Sequence, residues 1–110
     1  MTGRARVADA RLAAMVRRLV AAYEPDQIYL FGSCARGDSG PDSDYDLMVV
    51  VPDSAPPERR GSRLAYEVLW ETGMGGDVLV WSRSRFDSRL HLAASLASTV
   101  LREGELLYAA

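Results

Sequence analysis

Asp44 and Asp46 stand two residues apart at the mouth of an apolar run, and Gly32-Ser33 closes another such run shortly before them. If the segment holding the two acids is extended, alternate side chains share a face, so both carboxylates project to one side. Like charges held side by side are costly unless a cation lies between them. The hard divalent cation that takes oxygen ligands and also meets phosphates is Mg²⁺. Glycine beside a small hydroxyl residue lets the backbone approach a ligand closely, and N–H groups exposed in such a bend suit a phosphate. The stretch Gly32-Ser33-Cys34-Ala35-Arg36-Gly37-Asp38, with Ser43-Asp44-Tyr45-Asp46 after it, therefore reads as a place that holds a metal-bound nucleotide.

A third carboxylate, Asp77, opens the later apolar run Asp77-Val78-Leu79-Val80-Trp81. Three acids at the same ends of neighbouring strands can converge on one site. With two metal ions about 3.5–4 Å apart, such a triad activates an attacking oxygen and stabilises a leaving one. Phosphoryl chemistry is mostly positioning and charge neutralisation, so this small inventory suffices. No serine–histidine or cysteine–histidine arrangement is visible, and none is needed.

The elements that must position these groups are legible from periodicity. Leu12, Met15, Val16, Leu19, Val20 and Tyr23 recur at three- and four-residue spacing, which predicts a helix ended by Pro25. Gln27 to Phe31 is short, aromatic and β-branched, and predicts an inner strand stopping at Gly32. Asp44 to Val51 predicts a strand whose apolar second half is covered on both faces. Pro52, Pro56 and Pro57 mark a loop, and Glu58 to Thr72 predicts a helix terminated by Gly73. After the Asp77 strand, Ser82 to Leu92 shows no clear period. Ala94 to Arg102 predicts a helix closed by Gly104, and Leu106 to Tyr108 a short last strand. The order α, β, turn, β, α, β, α points to an α/β layer domain: a small mixed sheet with flanking helices.

Composition sets the outer limits. A chain of 110 residues builds one domain, residues 1–110, around one core. The net charge of −2 suggests neither nucleic acid nor a membrane surface as a partner. All 13 basic residues are arginine, which excludes a P-loop lysine, a Schiff-base lysine and a kinase-type lysine together. The single cysteine rules out an internal disulfide and makes a reducing compartment the default. No apolar run approaches the roughly 18 residues of a membrane span, and the N-terminus lacks the layout of a signal peptide. A cytoplasmic location is expected.

Each residue has a plainer reading. Taken singly, Asp44 reads as a loop cap and Asp46 as an edge charge; three acids beside Gly-Ser favour a metal. Arg36 serves a phosphate or pairs with Asp38 or Asp42. Ser33 as a helix N-cap is compatible with a phosphate site, which uses the same groups. Cys34 reads as packing, and His91 is given no role. Trp70 and Trp81 fit core and interface equally well.

Gly32-Ser33, then Ala35-Arg36-Gly37, then Ser43-Asp44-Tyr45-Asp46-Leu47, with a distal strand acid Asp77, resembles the minimal nucleotidyltransferase family of the DNA polymerase β-like superfamily. The resemblance covers nearly the whole chain, including the closing stretch from Arg102 to Tyr108. It implies that Gly32 and Ser33 hold the β- and γ-phosphates of ATP, with Arg36 a further phosphate contact. Asp44 and Asp46 would ligate two Mg²⁺ ions, and Asp77 would bind the catalytic ion and orient or deprotonate the incoming hydroxyl. Small members of this kind commonly stand beside a HEPN-domain toxin, and several neutralise it by transferring AMP to a toxin tyrosine. The resemblance thus implies an antitoxin that adenylylates its partner. A silent module that occludes the partner, and transfer to RNA or a small molecule, are the alternatives. An apolar C-terminal segment leaves both a homo-oligomer and a hetero-complex open.

Overall fold

The first amphipathic stretch forms α1 (Ala10–Tyr23) in the computed structural model, which describes residues 10–32, 45–70 and 76–110. Its buried residues, Leu12, Met15, Leu19 and Tyr23, lie on one stripe, as the spacing requires. Pro25 follows, with Glu24 in the left-handed region at φ 48°. Then come β1 (Gln27–Phe31), β2 (Tyr45–Val51), a 3-10 turn (Pro57–Arg59), α2 (Arg63–Leu69) and β3 (Gly76–Ser82). The chain continues through α3 (Arg83–Ser88) and α4 (Leu96–Glu103) to β4 (Glu105–Ala109).

The four strands form one sheet in the order β3-β2-β1-β4. β2 and β3 run parallel, while β1 is antiparallel to both β2 and β4. Parallel neighbours need a crossover, and the segment containing α2 supplies it. On one face of the sheet, Leu30, Leu47, Val49, Val78 and Val80 pack with α1 and with Ala65 and Leu69 of α2. On the other face, Tyr29, Met48 and Val50 meet Phe86 of α3 and Ala97 and Val100 of α4. The rings of Tyr29 and Phe86 stack at a centroid distance of 5.7 Å. Leu47 through Val51 are all buried, which explains why β2 is apolar at every position there. This is the small mixed sheet with flanking helices that the sequence predicts.

Several elements differ from their predicted extents, β3 and α4 by only one or two residues at their ends. Within the expected helix over 58–72, the chain first makes a 3-10 turn and α2 starts only at Arg63, because the Arg60 guanidinium donates to the carbonyls of Ala55 (2.6 Å) and Asp53 (3.2 Å). Those bonds hold the segment against its own loop. Residues 71–72 and the expected terminator Gly73 lie outside the described residues. The unperiodic Ser82–Leu92 stretch contains α3, whose N-cap Ser82 accepts from the Arg85 N–H at 3.3 Å. The last strand is longer than expected, running from Glu105 to Ala109. Among the described residues, no helix is long and apolar enough to cross a membrane.

Tyr23 joins α1 to the start of α2. Its hydroxyl donates to the Gly61 carbonyl at 2.5 Å and accepts the Ala65 N–H at 2.8 Å. Ala65 lies in the first turn of α2, where the helix itself offers that N–H no partner. Tyr23→Phe is expected to lower stability by about 1–3 kcal/mol, read from denaturant unfolding. Burial pushes the phenol above its ordinary pKa of 10.0. Its contribution is therefore complete below about pH 10 and is lost as pH rises through the higher folded value. The variant should show a flatter alkaline limb; an unchanged midpoint and limb would mean that the two bonds contribute nothing.

Candidate functional site

The parallel β2–β3 ladder sets Asp46 directly beside Asp77. Residues paired across neighbouring strands share a face and lie about 5 Å apart along the ladder. The register is enforced downstream. Leu47 pairs with Val78 and Val49 with Val80, and all four are buried against the α1 side. Shifting β3 by one residue would turn its valines out of the core. With those valines inward, Asp77 must fall on the opposite face, beside Asp46. Asp46 is half-buried and Asp77 exposed.

Two glycines let the backbones close up here. Gly76 pairs with Tyr45 at the head of the ladder, and a Cβ at Gly76 would lie 2.8 Å from the Tyr45 carbonyl oxygen. Gly32 follows β1 with φ 78°, in the region that favours glycine. A Cβ there would strike the Asp46 carboxylate, with Cγ at 3.2 Å and Cβ at 3.4 Å. Because β1 is antiparallel to β2, its exit meets the entry of β2, and Phe31 pairs with Asp46. The glycine bend thus closes over one carboxylate while β3 brings up the other.

Of the sequence-predicted site residues, Gly32, Asp46 and Asp77 come together at this end of the sheet. Ser33, Arg36 and Asp44 lie outside the described residues, as do Cys34, Asp38 and Asp42. Among the described residues, no group of three His, Cys, Asp or Glu side chains is assembled. Asp46 and Asp77 supply two acids of the expected triad. Their donor set fits a hard divalent cation: carboxylate oxygens only, two like charges on adjacent strands, and a glycine cradle in which a Cβ would displace one of them. Sequence reasoning assigned Gly32 to phosphate and missed its contact with Asp46. It gave Gly76 no role and missed the close approach to Tyr45. For Gly76 the available signal was its place immediately before the strand-entry acid Asp77.

A family model described as a nucleotidyltransferase domain matches residues 12–106. Curated proteins offer no match. Among solved structures, a candidate nucleotidyltransferase from Sulfolobus solfataricus is 19% identical, over 98% of this chain and 84% of its own, with a TM-score of 0.60. A toxin–antitoxin structure with AMP-PNP is 26% identical, over 88% of this chain and 73% of its own, with a TM-score of 0.56. The toxin–antitoxin MntA–HpeT, in a form with two aspartates changed to glutamate, is 22% identical over the same shares, 88% and 73%, with a TM-score of 0.54.

Proposed function

The chain belongs to the nucleotidyltransferase domain family, as a minimal member of the DNA polymerase β-like superfamily, and we propose that it transfers AMP from Mg-ATP to a hydroxyl of a partner protein. The observation that carries this reading is the Asp46–Asp77 pair at register-matched positions beside the Gly32 bend. The nucleotide and the partner are drawn from the similar toxin–antitoxin structure with AMP-PNP. On the family resemblance given by the sequence motifs, the partner is a toxin of HEPN type, the acceptor is a tyrosine, and the chain is its antitoxin.

In this reaction the acceptor oxygen forms a bond to the α-phosphorus, the bond from that phosphorus to the bridging oxygen breaks, and pyrophosphate leaves. Asp77 is exposed at the entry of β3, so it can meet a hydroxyl presented from outside. It orients that hydroxyl and takes its proton, which passes on to water. Asp46 sits half-buried under the Gly32 bend, fixed for binding rather than for exchange. Gly32 leaves the backbone close to the phosphates, with Ser33 and Arg36 as further phosphate contacts. Asp44, Asp46 and Asp77 would hold two Mg²⁺ ions, which supply charge neutralisation on the phosphates and a more acidic attacking hydroxyl. The partner brings its own acceptor surface to the site.

The deciding experiment incubates the protein with Mg-ATP and its toxin partner, then weighs the partner. A gain of one or more AMP units is expected, mapped to tyrosine by fragmentation. An unchanged mass with the toxin still inhibited would replace catalysis by occlusion.

A further inference from the structure

The face of the sheet that carries Asp77 also carries a cleft at its other end. Asp77, Leu79 and Trp81 alternate on β3, so Trp81 shares the face of Asp77 about 13 Å further along the strand. The cleft, about 560 Å³ in volume, is lined by Trp81, Arg85, Arg89, Leu92, Ser95 and Leu96 among others. Its size falls within the range of small-ligand sites. Among the described residues, none that lines the cleft is acidic.

The two arginines are arranged for a ligand. Arg85 lies in α3 and Arg89, four residues on, is its C-cap, a spacing at which like charges repel. Both guanidinium groups nevertheless converge on one indole, with Arg85 4.2 Å and Arg89 5.9 Å from the ring centroid. Neighbouring Arg83 is paired with Asp26 and Asp87, whereas no carboxylate among the described residues pairs with Arg85 or Arg89. A guanidinium lying on an aromatic face keeps its N–H edge free for an oxyanion. The first turn of α4 starts at the same cleft, and its N-cap Ser95 hydroxyl is occupied, accepting from the Ser98 N–H at 3.1 Å and donating to the Arg89 carbonyl at 2.7 Å. That second bond ties the α3 exit to the α4 entry, so the cleft walls are fixed relative to each other.

We propose that the Trp81–Arg85–Arg89 cleft is a second anion site, which binds a phosphate ester independently of the Asp46–Asp77 site. Two guanidinium forks and a helix entry offer more N–H donors than the two oxygens of one carboxylate can accept, and a phosphate group has the oxygens to use them. The phosphate can come from a mononucleotide or from a polynucleotide backbone, and the probes below separate the two.

The test uses the Trp70→Phe protein, in which Trp81 is the remaining indole; Trp70 is 85% exposed and lies outside both sites. AMP and a short single-stranded oligoribonucleotide are titrated separately without Mg²⁺, with citrate as a carboxylate control, while Trp81 fluorescence is followed. A saturable change with a phosphate probe is expected, weakened at least about tenfold by Arg85→Gln with Arg89→Gln. It should be unaffected by Asp46→Asn, which separates it from the nucleotide site of the proposed reaction. Similar affinity for AMP and the oligonucleotide assigns a mononucleotide ligand. Tighter oligonucleotide binding with a steep salt dependence assigns a polynucleotide. Binding of citrate as tight as that of AMP, no response to either phosphate probe, or equal affinity in the arginine double variant would each overturn the proposal. Circular dichroism of the double variant checks that α3 and α4 remain folded.

Discussion

Asp77→Asn is expected to reduce nucleotidyl transfer by about 10³-fold while leaving the fold unchanged. Asp77 is exposed at the entry of the edge strand, so removing its charge disturbs no packed neighbour. The inward residues that hold β3, Val78 and Val80, are untouched. Because Asp77 is assigned to the acceptor hydroxyl, the loss should fall on turnover far more than on ATP binding. Asp46→Asn should differ, since Asp46 lies between the glycine bend and Asp77 and serves the nucleotide as well. It should lose ATP binding and turnover together. Isothermal titration with Mg-ATP, set beside single-turnover rates, distinguishes the two variants. If Asp77→Asn weakens ATP binding as much as it slows transfer, the hydroxyl-orienting role is wrong.

The second large effect is expected from Gly32→Ala. The added Cβ meets two obstacles: a backbone at φ 78°, which costs an alanine about 1–2 kcal/mol, and the Asp46 carboxylate directly in its path. The bend can flatten or the carboxylate can rotate away. Either movement displaces a group that must be held within a fraction of an ångström, and a misplacement of about 1 Å can cost on the order of 10²-fold in rate. Transfer should therefore fall about 10²-fold or more, with a modest drop in thermal midpoint. Removing the obstructing side chain offers a check on cause. In an Asp46→Ala background, the stability cost of Gly32→Ala should shrink towards that of the backbone strain alone, a non-additivity readable as a double-mutant cycle. Full additivity would show that the collision with Asp46 is not what makes the position intolerant.

How far the sequence reveals this molecule depends on how local each feature is. β1, β2 and β3 are legible because short aromatic and β-branched runs ending at glycine or beginning at an acid leave few alternatives. α1 is legible because six apolar residues repeat over four turns. α3 is not, because its six residues bury only Phe86, and one buried side chain defines no period. The region 58–72 misleads for the opposite reason. Its apolar spacing is helical from Leu64 onward, but the polar stretch before it is held by side-chain bonds from Arg60 to its own loop and from Tyr23 to Gly61, which no periodicity records, so α2 starts late. The site divides in the same way. That Asp77 stands at a strand entry follows from the run behind it. That its partner across the ladder is Asp46 depends on how Val78 and Val80 seat against Leu47 and Val49, a long-range fit that only the folded chain displays.

The ladder between β2 and β3 also limits how the protein can vary. Because core valines and the acid occupy alternate positions on one strand, a residue inserted between Asp77 and Val78 cannot shift the carboxylate by a small amount. Either the valines keep their places and the acid is carried to the wrong side, or the acid stays and the core is turned inside out. Catalytic competence and core integrity are thus read in the same two-residue frame. Point changes at the site can be graded in effect, whereas a single-residue insertion or deletion within Gly76–Val80 is all-or-none.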